Sequence, residues 1–350
     1  MILCQPLYMK EFACTASACT DTCCAGWEIV LDEEALQRYR KVTGPFGERL
    51  KKEIRCDQGE YYFGLTKGRR CPFLDKEDLC DIYKELGEAA LCDICTEHPR
   101  FYNWFGNYTE KGLGLCCEEA ERLLFMDSSP LQFEMIQKGE ENELSEDLIT
   151  LLNIRADVIE GLEDRRSPIG ERLNACVSSM AGLQQLLDGE EDLSEEELAG
   201  EYSLFTVWEE DPAGAAAWAH ELVGFFSELE CLDGRWRRLL NEADRDRERI
   251  CKEGIGAILS DEGRLYEWEH VAVYLTFRYF MEALYDQEVL VRARFVETSL
   301  ELLLFLAGKL YLDRGYSKKD RDDLFRMFSR EIEYCPENME AIFTALREGF

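Results

Sequence analysis

The chain has 350 residues, sixteen cysteines and a formal net charge of −32 at pH 7. This length is sufficient for two domains of ordinary size, and the 46% of apolar residues argues against a disordered chain. The acidic excess argues against a protein that binds nucleic-acid phosphates or anionic lipid headgroups, and it favours a cationic partner. The first residues carry no signal-peptide pattern and no segment is apolar enough to span a bilayer, so we expect a cytoplasmic protein.

For residues 1–127 the sequence predicts short helices and strands. Asp32 is expected to cap a helix over residues 33–42, because acidic residues follow it in the first turn, and Gly44-Pro45 is expected to stop this helix. The other elements predicted in this part are a strand at 61–63, a hairpin within 101–115 and a helix at 118–125.

Beyond residue 130 the apolar residues recur at helical spacing. The predicted helices cover residues 131–137, 144–162, 169–187, 195–209, 213–230, 235–251, 265–286, 289–312, 320–334 and 337–348. We therefore expect a fold that is mostly α, with a small irregular α+β part that carries the cysteines.

Composition changes near Ser128-Ser129-Pro130. Twelve of the sixteen cysteines lie within residues 1–117, whereas most of the acidic excess lies beyond residue 127. Because a turn is also expected at this point, we predict a cysteine-rich metal-binding domain over residues 1–127 and a helical domain over residues 128–350.

The cysteines of the first part are closely spaced, beginning with Cys14-x4-Cys19-x3-Cys23-Cys24. The rest of this dense set are Cys71, Cys80, Cys92, Cys95, Cys116 and Cys117. A reducing compartment does not keep structural disulfides, so such a set indicates metal ligation, and thiolates select zinc, iron–sulfur or copper(I). The first group lacks a CxxC and contains an adjacent pair, which favours an iron–sulfur cluster over a zinc finger, with zinc as the alternative.

The remaining cysteines are interpreted as small buried side chains or free thiols. They are Cys4, Cys56, Cys176, Cys231, Cys251 and Cys335. His98 lies inside the cysteine region and is a further candidate ligand.

The cysteines lie within longer motifs. The first is Phe12-x-Cys14-x4-Cys19-x-Asp-Thr-Cys23-Cys24-x-Gly-Trp27, and it is followed by Arg70-Cys71-Pro-Phe-Leu74, Leu79-Cys80-x-Ile82, Leu86-Gly87-Glu88, Cys95-x3-Pro99-Arg100 and Leu115-x-Cys117-x-Glu-Ala120. In these motifs the chain resembles the flagellin lysine N-methylase family, which belongs to a broader group of cysteine-rich zinc- or iron-chelating proteins. The resemblance returns near the C-terminus at residues 273–280 and 329–338.

The resemblance implies a set of metal ligands, because eight cysteines stand at family positions. They are Cys14, Cys19, Cys23, Cys24, Cys71, Cys80, Cys95 and Cys117. Cys92 and Cys116 are additional in this sequence, Glu118 stands where the family usually has proline, and His98 stands where it more often has an aromatic residue. A single 4Fe-4S cluster takes four thiolates, so the remainder hold a second ion or pack in the interior.

The resemblance also implies transfer of a methyl group from S-adenosylmethionine to lysine side chains of flagellin or another lysine-bearing protein. A Rossmann-type donor site needs a glycine-rich turn in a βαβ unit, and neither Gly112-Leu-Gly114 nor Gly254-Ile-Gly256 has that context. We therefore expect a methyltransferase that is not of the Rossmann type.

Arg278 and Tyr274 are the candidate donor contacts. Aromatic faces suit a sulfonium, and an arginine on an apolar helix either clamps the donor carboxylate or neutralises a buried acid. Two other classes of function stay open: a non-enzymatic zinc- or iron-binding interaction module, and an iron–sulfur redox or sensor protein.

Overall fold

The computed structural model describes residues 1–139, 143–189 and 203–350, and the chain forms two compact units that alternate along the sequence. The cysteine-rich unit comprises Lys10–Phe101 and Leu113–Ala120. The helical unit comprises Met1–Met9, Tyr102–Gly112 and Glu121–Phe350. The domain border after residue 127 stays a prediction.

The cysteine-rich unit is built from short elements. Its sheet has the strand order β2-β4-β3, with β2 at Ile29–Val30, β3 at Ile54–Asp57 and β4 at Glu60–Phe63, all antiparallel. The predicted strand at 61–63 is therefore confirmed as part of β4. The helices of this unit are Glu33–Lys41, Gly44–Glu53, Asp81–Leu86 and Asp93–Glu97, with 3-10 turns at Ala16–Ala18 and Glu88–Ala90.

The predicted helix after Asp32 is confirmed. The Asp32 carboxylate accepts a hydrogen bond from the Ala35 backbone N–H at 2.7 Å, which satisfies one of the free donors at the helix start. The helix ends at Lys41. Gly44-Pro45 then begins a second helix, Gly44–Glu53, which the sequence analysis did not predict. Proline suits this position because the first turn of a helix needs no N–H from it.

The four-stranded sheet has the order β5-β6-β1-β7, with β1 at Ile2–Pro6, β5 at Arg100–Phe105, β6 at Tyr108–Leu113 and β7 at Phe133–Gln137. Strands β5 and β6 confirm the predicted hairpin, and Gly106 adopts the positive φ of 65° that its turn requires. β1 runs parallel to β6 and antiparallel to β7.

The predicted helix over 131–137 is wrong, because residues 133–137 form the edge strand β7. All five residues of β7 stand opposite residues of β1, from Phe133 beside Pro6 to Gln137 beside Ile2. A segment this short gains little as an isolated helix, so a strand partner more than a hundred residues away decides its conformation.

Helices dominate the rest of the chain, as predicted. Their bounds are Glu118–Leu124, Glu146–Glu163, Ile169–Asp188, Leu204–Val207, Pro212–Glu228, Gly234–Arg245, Arg247–Arg249, Ile255–Leu259, Leu265–Tyr279, Ala283–Asp286, Val289–Arg314, Lys318–Phe328 and Pro336–Arg347. Of the predicted helix 195–209, residues 195–202 lie outside the described residues. Among the described helices, even the 26-residue Val289–Arg314 has no apolar stretch that would suffice to cross a bilayer.

Three predicted helices are interrupted. The segments 235–251 and 320–334 run into π-helical turns at Ile250–Gly254 and Ser329–Glu333, and 265–286 contains a 3-10 turn at Phe280–Glu282. In the first of these turns Gly254 packs directly against Gly308 of the central helix Val289–Arg314, whose interior residues are buried on all sides. Helical spacing in the sequence does not reveal such backbone contacts.

Candidate metal-binding and donor-binding sites

The cysteine-rich unit contains all eight of the cysteines predicted as metal ligands. One group of thiols, which we call the inner set, packs in the hydrophobic core of this unit. Its members are Cys24, Cys71, Cys80, Cys92 and Cys95. Around them lie large buried side chains such as Tyr39, Phe63 and Phe73. Cys71 and Cys92 are buried in this core, and the other three pack against it half-buried.

Backbone hydrogen bonds hold the segments of the inner set together. The Cys71 N–H donates to the Cys24 carbonyl at 2.8 Å, and the Cys95 N–H donates to the Cys92 carbonyl at 3.0 Å. An antiparallel bridge joins Leu74 to Cys80. These bonds position the cysteines through the main chain and leave their sulfur atoms available as ligands.

The sulfur atoms of the inner set lie close enough to affect one another. The Cys71 thiol interacts electrostatically with those of Cys24, Cys80 and Cys92, and the Cys95 thiol interacts with those of Cys92, Cys24 and Cys71. Burial raises the pKa of Cys71 to about 12. A hydrogen bond donated by the Cys95 thiol lowers the pKa of Cys92 and raises that of Cys95.

A second group of thiols is exposed or half-buried, and we call it the outer set. Its members are Cys14, Cys19, Cys23 and Cys117. The Cys23 thiol interacts electrostatically with those of Cys117 and Cys14, and the Cys117 thiol interacts with those of Cys19 and Cys14. Burial raises the pKa of Cys117 to about 11.

Glu118 orders the loop that carries the outer set. Its Oε2 accepts a hydrogen bond from the Thr20 N–H at 2.7 Å and lies 3.5 Å from the Cys19 Sγ. Trp27 donates its indole N–H to the Cys23 carbonyl at 2.8 Å. Glu118, which stands where the family usually has proline, therefore connects the loop after Cys14 to Cys116 and Cys117, which directly precede it in the chain.

The adjacent residues Cys23 and Cys24 connect the two sets. The Cys23 thiol donates a hydrogen bond to the Cys24 sulfur, which raises the pKa of Cys23 and lowers that of Cys24 to about 7. The guanidinium group of Arg70, which pairs with Asp78, also favours the Cys24 thiolate. Cys24 is thus the most readily ionised member of this pair.

Two residues behave differently from the sequence analysis. Cys92, treated there as an additional cysteine, belongs to the inner set and contacts Cys95. The His98 Nε2 lies 3.9 Å from the Sγ of Cys116, the other additional cysteine. The sequence analysis did not pair Cys92 with Cys95, or His98 with Cys116. It is the fold that brings the members of each pair together.

The spacing of the sulfur atoms bears on the choice of metal. Within the described residues, no three cysteine sulfur atoms lie within 4.8 Å of one another. Tetrahedral zinc holds its thiolates about 3.8 Å apart, given a Zn–S bond of about 2.3 Å. Zinc ligation would therefore require these sulfur atoms to move closer together.

One grouping of metal-ligand atoms falls outside the predictions. Ligand atoms of Glu230, Cys335 and Glu337 lie within 4.8 Å of one another, and both carboxylates are exposed. Cys335 directly precedes the helix Pro336–Arg347, where a carboxylate is favoured by the helix dipole. This accounts for the acidic residues without a metal.

The structure brings the candidate donor contacts Arg278 and Tyr274 together in the helical unit. The Arg278 Nη1 donates to the Tyr274 hydroxyl at 2.7 Å and to the Glu333 Oε1 at 3.0 Å. The hydroxyls of Tyr274 and Tyr279 donate to the same Glu333 oxygen at 2.9 Å and 3.2 Å. Burial raises the pKa of both tyrosines. This is the arrangement in which Arg278 neutralises a buried acid.

The helical unit also contains a cavity of about 980 Å³ that the sequence analysis did not anticipate. Phe133 and Phe277 stack on its wall with ring centroids 4.7 Å apart. Arg155 also lines it and forms a buried ion pair with Glu110 at 2.5 Å. Its acidic lining residues are Asp157, Glu160, Glu163 and Asp164. The i, i+3 spacing of Asp157, Glu160 and Glu163 was visible in the sequence, but the presence of aromatic rings in the same cavity was not.

Comparison with known proteins gives consistent similarities. Residues 155–350 match the family model for the FliB lysine N-methylase C-terminal domain. The flagellar biosynthetic protein FliU of Salmonella muenchen is 31% identical over 130 residues, which cover 35% of this chain and 76% of that protein. The lysine-N-methylases of Salmonella typhimurium and Salmonella choleraesuis are each 32% identical over 131 residues.

These matches cover 35% of this chain and 32% of either lysine-N-methylase, so the chain spans about a third of their length. No solved structure matches the chain.

Proposed function

Because the chain belongs to the FliB lysine N-methylase family, and is by that membership a methyltransferase enzyme, we propose that it methylates lysine side chains of flagellin in the cytoplasm. The methyl donor is S-adenosylmethionine, and the enzyme depends on a cysteine-bound iron–sulfur cluster. The observation that carries this proposal is the family match over residues 155–350. It favours an enzyme over the interaction module and the redox sensor.

Flagellin as the substrate is supported by the name of one relative, a flagellar biosynthetic protein. The charge of this chain agrees with such a partner, because a net charge of −32 raises the local concentration of a lysine-bearing protein. The same charge holds a lysine ammonium in its protonated form, so the reacting lysine must lose its proton away from free carboxylates.

In the proposed reaction the lysine Nε forms a bond to the methyl carbon while the sulfonium S–C bond breaks. The products are methyllysine, S-adenosylhomocysteine and one proton. S-adenosylmethionine supplies the electrophilic methyl group. The chain must align the two reactants and accept the lysine proton, since positioning and deprotonation set the rate of such a displacement.

Two places in the helical unit suit the donor. Arg278 and Tyr274 stay the proposed contacts, although the pairing of Arg278 with Glu333 means that a donor carboxylate would compete with this acid. The cavity beside Phe277 offers stacked aromatic rings for a sulfonium or an adenine, with carboxylates for a cationic guest.

The cysteines fit a soft metal centre. They bring thiols from distant segments to one another, which is the donor chemistry that an iron–sulfur cluster requires. When bound, such a cluster supplies a crosslink between chain segments and a one-electron couple.

The experiment is incubation of the anaerobically purified protein with flagellin and S-adenosylmethionine labelled in the methyl group. We expect label on flagellin lysines, and acetylation of these lysines should prevent it. The proposal is wrong if the metal-replete protein leaves flagellin unlabelled. For the donor site, calorimetry with S-adenosylhomocysteine should show weakened binding to Arg278→Lys, which retains the positive charge beside Glu333. Unchanged affinity would instead favour the cavity.

A further inference from the structure

We propose that the edge strand β7 and the cavity beside it bind the protein substrate. The substrate segment is extended and basic, pairs with β7 as an added strand, and places lysine or arginine side chains in the cavity. This inference rests on the proposed function for the nature of the substrate, and it adds the surface that recognises it. The side chains held there are recognised and not methylated, because the carboxylates of the cavity keep an ammonium group protonated.

One side of β7 has no strand partner in the part of the chain that the structure describes, since this strand ends the sheet order β5-β6-β1-β7. Gln132 and Lys138 make backbone hydrogen bonds of 2.8 Å to the residues that flank β1. Because backbone groups alternate in direction along an antiparallel strand, the N–H and C=O groups of Phe133, Met135 and Gln137 point away from β1. Such a row of backbone groups is a template for another extended chain.

The residues of this edge also line the cavity of about 980 Å³. The side chains of Phe133 and Met135 share one face of β7, because they are two positions apart, and both contribute to the lining. The helix Glu146–Glu163 supplies most of the other lining residues. Met135 is 67% exposed and Phe133 is half-buried, so apolar surface is open beside the outward backbone groups. A strand added to β7 therefore sets alternate side chains over the cavity.

The charge of the cavity selects a basic partner. Its carboxylates are Asp157, Glu160, Glu163 and Asp164. Of the two arginines in the lining, Arg155 is held by the buried Glu110. Arg166 is paired with Asp164. The remaining carboxylates give the lining a net negative charge, which complements lysine or arginine and disfavours an acidic segment. The aliphatic stem of such a side chain packs on the apolar lining while its charged end reaches a carboxylate.

The test uses the full-length protein and a synthetic peptide of five valine–lysine repeats. Binding is measured by calorimetry, and backbone amide hydrogen exchange is followed in the presence and absence of the peptide. We expect the peptide to slow exchange in residues 133–137, because the outward N–H groups of β7 gain acceptors. The control peptide has the same sequence and charge but carries a methyl group on every backbone nitrogen, so it cannot donate to β7. It should bind at least about tenfold more weakly.

A pair of double variants locates the basic side chains. Asp157→Asn with Glu160→Gln removes two exposed carboxylates of the cavity. Glu209→Gln with Glu210→Gln is the matched control, because it removes two exposed carboxylates elsewhere in the same unit. We expect peptide binding to weaken about threefold to tenfold in the cavity variant and less than about twofold in the control. All four side chains are exposed, so neither variant disturbs the core.

The inference is overturned if the peptide leaves hydrogen exchange in residues 133–137 unchanged, if the methylated peptide binds as tightly, or if the two double variants bind equally. It is also overturned if S-adenosylhomocysteine displaces the peptide, since the cavity would then hold the methyl donor. The proposed function fails separately. Protection of β7 by the peptide in a protein that leaves flagellin unlabelled refutes that function alone, and labelling of flagellin without this protection refutes the present inference alone.

Discussion

Replacement of Arg278 by methionine tests whether this guanidinium neutralises a buried acid. The side chains of Arg278 and Glu333 are only 9% and 1% exposed, and their polar atoms are 3.0 Å apart. In the variant the Glu333 carboxylate stays buried with the hydroxyls of Tyr274 and Tyr279 as its hydrogen-bond donors. Breaking one partner of such a buried pair costs about 3–5 kcal/mol.

We expect Arg278→Met to lower the free energy of unfolding by about this amount, about 3–5 kcal/mol. Adding Glu333→Gln should recover a substantial part of the loss, because the uncompensated charge disappears. The measurement is urea unfolding followed by tryptophan fluorescence, with the free energy taken from the midpoint and slope. Trp268 and Trp236 are buried in the same unit and report on it.

Arg166→Met is the control, because Arg166 forms an ion pair with Asp164 at the surface, where the arginine is 89% exposed. It should change stability little, since exposed pairs contribute little. The reasoning is refuted if Arg278→Met costs less than about 1 kcal/mol, or if Glu333→Gln makes the single variant still less stable. If the Arg278 guanidinium instead served to bind a donor carboxylate, its removal would change the free energy of unfolding only slightly.

Three further predictions concern packing, capping and pH. Gly254→Ala should lower the free energy of unfolding by about 1–3 kcal/mol, because its Cβ would lie 2.9 Å from the Gly308 carbonyl oxygen. Asp32→Ala should cost about 1 kcal/mol at neutral pH, because the Asp32 carboxylate accepts two backbone N–H bonds at 2.7 and 2.8 Å. Burial raises the pKa of Glu301 to about 7, so ionisation of Glu301 should lower stability as pH rises from about 4.5 to 7, and Glu301→Gln should remove this contribution.

Each of these predictions has its own control in urea unfolding. Gly224→Ala should stabilise by about 0.4–1 kcal/mol, because nothing lies within 4 Å of its added Cβ, and an equal loss in both glycine variants would contradict the packing argument. Although burial opposes ionisation, the backbone bonds lower the pKa of Asp32. The cost of Asp32→Ala should therefore vanish as pH falls through this lowered value, and a constant cost would contradict it. For Glu301, parallel pH profiles of wild type and variant would contradict the assignment.

Local patterns were sufficient for much of the fold. The cap at Asp32 and the turn at Gly106 act within a few residues, so the helix and the hairpin beside them were predictable from the sequence. The cysteine spacing likewise located the cysteine-rich unit. The same local reasoning failed for residues 133–137, because their pairing with β1 outweighs a weak helical pattern.

By itself, the sequence determined which residues are available for chemistry: the cysteines of the first third, the acidic excess and the family to which the chain belongs. The tertiary structure decided which of them meet. It placed Arg278 against Glu333, 55 residues later, and it gave Cys23 and Cys24 different neighbours although they share a peptide bond. The physical reason is that hydrogen bonds along the chain act over a few residues, whereas core packing joins segments without regard to their distance in sequence.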